Sequence, residues 1–213
     1  GGYCVKGGDV VRVAVLASGR GSNLQALIDS SEMEGAPFKL SAVISDKKDS
    51  LALKRACKHG LKGYFLNPKD YCCREDFDSA LAQLIKRKNI DLICLAGFMR
   101  ILSSEFIACF SHSIINIHPS LLPSFPGLEA QKQALDYGVK YTGCTVHFVD
   151  EGVDTGPVID QRVVPIYDND TVESLSSRIL KEEHVLYPRV VKGIARGLVE
   201  INGRKVIFHK GGS

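Results

Sequence analysis

Apolar positions recur along this chain in two alternating rhythms, and together they predict an α/β protein. Residues 10–16 form an apolar run with four valines, the mark of a buried strand. The turn Ser18-Gly19-Arg20-Gly21-Ser22 follows. Leu24, Leu27 and Ile28 then repeat at helical spacing, with Asn23 the expected cap. Residues 40–44 read as a second strand, 51–59 as a helix closed by Gly60, and 64–66 as a short third strand. A long helix over 74–88 carries Phe77, Leu81, Leu84 and Ile85 on one face, with charges opposite. Residues 92–96 are apolar on both faces, as an interior parallel strand would be, and a short helix at 105–109 leads to a strand at 114–117. Strands alternating with helices predict a doubly wound, mostly parallel central sheet with helices on both faces.

The pattern changes after residue 118. Pro119, Pro123, Pro126 and Gly127 predict a stiff, irregular loop. A helix at 130–137 leads to a strand at 142–149 rich in β-branched residues, with 158–164 as its antiparallel neighbour. A long helix starts at Thr171, and Pro188 is expected to kink or end it. Residues 198–201 and 205–208 flank Asn202-Gly203, a hairpin-turn signal. The C-terminal half therefore adds an antiparallel segment and a long helix to the sheet. No repeat, low-complexity tract or linker interrupts the chain, so a single domain is expected over 10–213, behind a flexible leader at 1–9.

Composition narrows the function classes. With 213 residues, 45% hydrophobic and 24% charged, the chain has ordinary globular content rather than that of a disordered one. A net charge of +3 gives no bulk case for nucleic-acid binding but leaves room for a local phosphate site. No apolar stretch approaches the ~20 residues of a membrane span. The seven cysteines are odd in number, none is spaced Cys-x-x-Cys, and Cys72 and Cys73 are adjacent. They read as free thiols of a reduced, intracellular protein, cytoplasmic or, after removal of a targeting peptide, in an organelle.

Two segments carry candidate chemistry. Strand, glycine loop and helix form an arrangement that can bind an anion, since the helix start offers unpaired N–H groups. The loop lacks the Gly-Lys-Ser/Thr of a Walker motif, and Leu24 stands where a dinucleotide fingerprint needs its third glycine. A single phosphate fits better; a turn of purely structural use is the alternative. Further on, Asn116 and His118 project to one face at a strand's C-terminal end, where α/β proteins place ligands. An amide can donate to a developing oxyanion and an imidazole can manage a proton, which suits attack of an amine on an acyl carbon. An acidic loop over 150–157 can bring a carboxylate to that imidazole, or serve as a hydrated connection. No nucleophile elbow or His-Glu-x-x-His metal motif offers a rival.

Four segments in this order resemble the phosphoribosylglycinamide formyltransferases, folate-dependent enzymes of purine synthesis. They are Ser-Gly-Arg-Gly-Ser-Asn-Leu-Gln-Ala at 18–26, Leu-Ala-Gly-Phe-Met-Arg-Ile-Leu at 95–102, Asn-Ile-His-Pro-Ser-Leu-Leu-Pro at 116–123 and His-Phe-Val-Asp-Glu-Gly-Val-Asp-Thr-Gly-Pro at 147–157. The resemblance runs over residues 11–206. It implies a formyltransferase-like fold and metal-free transfer from 10-formyltetrahydrofolate, as co-substrate, to glycinamide ribonucleotide through a tetrahedral intermediate. Gly21, Ser22 and Asn23 would hold the phosphate, and Glu183 the ribose hydroxyls. Arg74, Met99, Arg100, Ile101, Leu102 and Asn116 would face the folate, with Asp150, Glu151, Gly152 and Val153 closing over its pterin. Asn116 and His118 would be catalytic, with Asp154 raising the histidine's pKa. Residues 10–115 would then be the phosphate-binding half and 116–213 the catalytic and folate-loop half.

Small molecules are the expected partners, without nucleic acid or membrane, and a homodimer is compatible with this reading. Some relatives place a long polar or cationic residue where Leu180 stands here, so phosphate binding would lean on the glycine loop. Methionyl-tRNA formyltransferase and formyltetrahydrofolate hydrolase share features but normally carry an additional domain. A non-catalytic nucleotide-binding module is the alternative of a different class.

Overall fold

The computed structural model describes residues 2–3 and 9–209. The chain forms two compact units, residues 5–115 and residues 116–213 with residues 1–4. Of the leader expected at 1–9, residues 1 and 4–8 lie outside the described residues. Gly2–Tyr3 is a short strand, β1.

The unit 5–115 begins with β2 (Val11–Leu16), in which Val13, Ala14, Val15 and Leu16 are wholly buried. Then come α1 (Ser22–Ser31), β3 (Phe38–Ser45), α2 (Leu51–Lys58), β4 (Gly63–Phe65), α3 (Arg74–Arg87), β5 (Leu92–Leu95) and α4 (Ser104–Cys109). β2 pairs in parallel with both β3 and β5, and β3 with β4, giving the order β4-β3-β2-β5. Helices α1 and α3 bury the predicted faces, Leu24, Leu27 and Ile28 on one and Phe77, Leu81, Leu84 and Ile85 on the other. Each such side chain contributes about 1.5–3 kcal/mol when fully removed from water.

Helix α1 departs from expectation at its start. Its N-cap is Gly21, in the left-handed region at φ 68°, and Asn23 lies inside the first turn rather than capping it. A Cβ on Gly21 would sit 3.0 Å from the Cα of Ala52, so glycine is required there for space as well as for φ.

β6 (Ile114–His118) continues into the unit 116–213. α5 (Ala130–Tyr137), β7 (Tyr141–Phe148), β8 (Val158–Pro165), α6 (Val172–Ala195), β9 (Val199–Asn202) and β10 (Lys205–Phe208) follow. β7 and β8 pair antiparallel, and β6-β7-β8 complete a seven-stranded, mostly parallel sheet ordered β4-β3-β2-β5-β6-β7-β8. A second sheet, β1-β9-β10, contains the predicted hairpin with β1 added along β9. Its turn is Gly203-Arg204, one residue later than expected, because Asn202 still pairs with Lys205.

α6 settles one half of a second expectation: it continues through Pro188 and does not end there. Proline forfeits one backbone bond inside a helix. Here Leu186, Tyr187, Pro188, Val190 and Val191 are all buried, and their packing outweighs that loss.

Candidate active site

In the unit 116–213, β6 carries Asn116 and His118 on one face at its C-terminal end. Asn116 is half-buried, and its side chain has no hydrogen-bond partner among the described residues. His118 is buried and committed at both ring nitrogens. Its Nε2 lies 2.8 Å from the carbonyl oxygen of Phe125, which can only accept, so Nε2 donates. Its Nδ1 faces Asp154 Oδ2 at 3.4 Å. The same carboxylate oxygen accepts the N–H of Gly127 at 2.8 Å.

Asp154 reaches this position from the loop between β7 and β8. Its backbone is in the left-handed region at φ 54°, which aspartate tolerates better than most side chains. Within the loop, Asp150 Oδ1 accepts from Gly152 N–H at 3.0 Å and Thr155 Oγ at 2.6 Å, while Glu151, Gly152 and Val153 are exposed. Gly156 lets the loop close against β7, because a Cβ there would sit 1.6 Å from the Phe148 carbonyl oxygen.

Sequence reasoning missed three side chains that shape this cluster. Thr145, buried on β7, donates through Oγ to the Ser120 carbonyl at 2.7 Å and accepts from Leu122 N–H at 3.1 Å and Gln161 Nε2 at 2.9 Å. Gln161 also donates to the Leu122 carbonyl at 3.0 Å. Together they fix the proline-rich loop that supplies Phe125 and Gly127. His147, also buried on β7, places Nε2 3.8 Å from Asp154 Oδ1 and donates Nδ1–H to the Phe148 carbonyl at 2.9 Å. Burial holds its pKa below the ordinary histidine range, outweighing the Phe148 hydrogen bond and the Asp154 charge. The sequence placed Thr145 and His147 on a strand rich in β-branched residues, without a role for either side chain. Glu183 is buried on α6, where Leu180 is half-buried and Lys181 exposed.

In the unit 5–115, a cavity of about 320 Å³ is lined by Ser18, Gly19, Arg20, Gly21, Ser22, Asn23, Lys47, Ala96, Gly97 and Met99. It brings the three predicted phosphate residues to the first of the predicted folate residues. Arg20 and Lys47 give it positive charge, which suits an anion at the start of α1. Met99 and Ile101 are 68% and 64% exposed, while Leu102 is buried. The Arg100 guanidinium lies over the Phe77 ring at 4.3 Å. Arg74 is exposed in the first turn of α3, 3.7 Å from Glu75. Among the described residues, no group of three or more His, Cys, Asp or Glu side chains could hold a metal ion, and no helix is long and apolar enough to cross a membrane.

Comparison with known proteins gives this geometry a family. The formyl transferase model matches residues 11–191. The trifunctional purine biosynthetic protein adenosine-3 of Chironomus tentans is 48% identical over 91% of this chain, which spans only 14% of that relative's length. The phosphoribosylglycinamide formyltransferase of Bacillus subtilis is 40% identical over 85% of this chain and 93% of its own. Among solved structures, glycinamide ribonucleotide transformylase 1 from Symbiobacterium toebii superposes with a TM-score of 0.92 at 47% identity, over 94% of this chain and 95% of that one. The chain belongs to the formyl transferase family, among its phosphoribosylglycinamide formyltransferases.

Proposed function

We propose that this chain transfers the formyl group of 10-formyltetrahydrofolate to the amine of 5-phosphoribosylglycinamide. The observation that carries the proposal is the group on β6 and its partner loop: the Asn116 amide, free of protein partners among the described residues, beside an imidazole that faces a carboxylate at 3.4 Å. The amine nitrogen attacks the formyl carbon, a C–N bond forms, and the bond from that carbon to the folate nitrogen breaks. Asn116 donates a hydrogen bond to the oxygen as negative charge develops on it. His118, by turning its Nε2 from the Phe125 carbonyl to the substrate, carries the proton that must leave the amine and reach the departing nitrogen. Asp154 orients the ring.

The binding residues divide by chemistry. Gly21, Ser22 and Asn23 suit the phosphate, because the N-terminus of α1 presents N–H groups to the cavity. Glu183 suits the ribose hydroxyls as an acceptor. Met99 and Ile101 offer apolar surface, and Arg74, Arg100 and Leu102 add to a set suited to a flat heterocycle; the Asn116 amide is a further polar group for the same ligand. Asp150, with the exposed Glu151, Gly152 and Val153, would close over the pterin. Residues 10–115 thus act as the phosphate-binding half and 116–213 as the catalytic and folate-loop half.

The test is an assay of the purified chain with 10-formyltetrahydrofolate and 5-phosphoribosylglycinamide, initiator methionyl-tRNA or no acceptor. Tetrahydrofolate formed only with 5-phosphoribosylglycinamide is the expected result. Formylation of initiator methionyl-tRNA, or free formate released without any acceptor, would contradict the proposal and select another formyl-handling activity.

A further inference from the structure

Residues 97–103 carry four of the side chains proposed for the folate, Met99, Arg100, Ile101 and Leu102, yet they form neither helix nor strand. A segment without a backbone ladder must find its hydrogen bonds elsewhere. Two buried side chains supply them. Ser18 Oγ accepts the Met99 N–H at 2.9 Å, and the Ser18 N–H donates to the Gly97 carbonyl at 3.1 Å. At the other end, Asp78 Oδ2 accepts the Ser103 N–H at 2.6 Å, next to the Phe77 ring that underlies Arg100. Held in this way, the segment displays Met99 and Ile101 outward instead of absorbing them into the core.

We propose that Ser18 and Asp78 are positioning residues for the folate, fixing residues 97–103 in a receptive shape before the ligand arrives. The inference rests on the reading of Met99, Arg100, Ile101 and Leu102 as the folate segment. A segment ordered in advance spares the binding step the cost of ordering it. Ser18 decides the matter more sharply than Asp78, because it also opens the glycine loop proposed for the phosphate. A residue that merely shaped that loop would affect the ribonucleotide, whereas one that fixes Met99 affects the folate.

In Ser18→Ala, the KM for 10-formyltetrahydrofolate is expected to rise about tenfold, equivalent to about 1.4 kcal/mol. The rise in the folate KM should exceed any rise in the ribonucleotide KM, and Ser18→Thr, which keeps the hydroxyl, should restore the folate KM. A rise confined to the ribonucleotide KM, or an equal rise in both, would overturn the proposal. Amide hydrogen exchange in the wild-type chain gives a second reading that needs neither substrate nor variant. Slow exchange at Met99 and Ser103 is expected, and exchange at the rate of a free peptide at either would overturn it. Absence of turnover in the wild-type chain would count against the proposed function and leave the exchange result to decide the role of Ser18.

Discussion

Thr145 serves three partners with one hydroxyl, and the loop beside His118 depends on it. Thr145→Val keeps the side-chain shape and removes all three bonds, stranding the Leu122 N–H. An unsatisfied buried donor costs about 1–3 kcal/mol. We expect a lower melting temperature together with a lower kcat, because the Phe125 carbonyl and Gly127 N–H lose their anchored loop; a thermal melt paired with steady-state kinetics checks both. An unchanged melting temperature would contradict the role given to Thr145. At this scale legibility was uneven. Asn116 and His118 stood out because a strand ended in a proline-rich segment. The acidic loop indicated a carboxylate without saying which, and resemblance singled out Asp154. Thr145, His147 and Gln161 were invisible as participants, since their partners lie elsewhere in the chain and several are backbone atoms that no residue type announces.

At the scale of the element, α6 is held at its start by a compact charged cluster. Thr171 and Ser174 form a reciprocal capping box. Arg178 grips Asp170 through two bonds of 2.7 and 2.8 Å, and its guanidinium lies over the Tyr167 ring at 4.3 Å. The Arg178 guanidinium holds the Asp170 carboxyl well below the usual carboxylate range, helped by bonds from Tyr167 N–H and Ser174 Oγ. An unfolded aspartate titrates near about 3.9. The stabilisation is therefore fully present above that pH, and is lost as the pH falls through the lower folded value. Asp170→Asn should lower the melting temperature by a few degrees at pH 7. The gap to wild type should narrow steadily as the pH falls from about 4, where the unfolded carboxyl takes its proton first. Melts across this range check it, and a constant gap would show that the charge contributes nothing. The sequence marked Thr171 as the start of a long helix but left open whether it would end at Pro188. Proline in a helix is judged locally, whereas the packing around Pro188 that tolerates it is tertiary.

Across the whole molecule, the alternation of apolar runs and amphipathic stretches was enough to foresee the mostly parallel sheet and the β7–β8 pair. It could not foresee that Gly2–Tyr3 pairs along β9, because two residues carry no periodicity. The six cysteines among the described residues are thiols, and Cys94 and Cys144 are buried, with burial pushing the Cys144 thiol up to about 12. Alkylation followed by mass spectrometry should therefore leave Cys94 and Cys144 unmodified in the native chain, while Cys57, Cys72, Cys73 and Cys109 react. Labelling of Cys144 without denaturant would contradict that packing. The central claim is that the His118 imidazole at the end of β6, faced by the Asp154 carboxylate from the β7–β8 loop, carries the proton from the attacking amine to the departing folate nitrogen. Turnover of Asp154→Asn with 10-formyltetrahydrofolate and 5-phosphoribosylglycinamide tests it most directly. We predict a kcat lower by a factor on the order of 10²–10⁴, the range of general acid–base catalysis, with the fold intact by circular dichroism; a folded variant turning over at close to the wild-type rate would contradict the account.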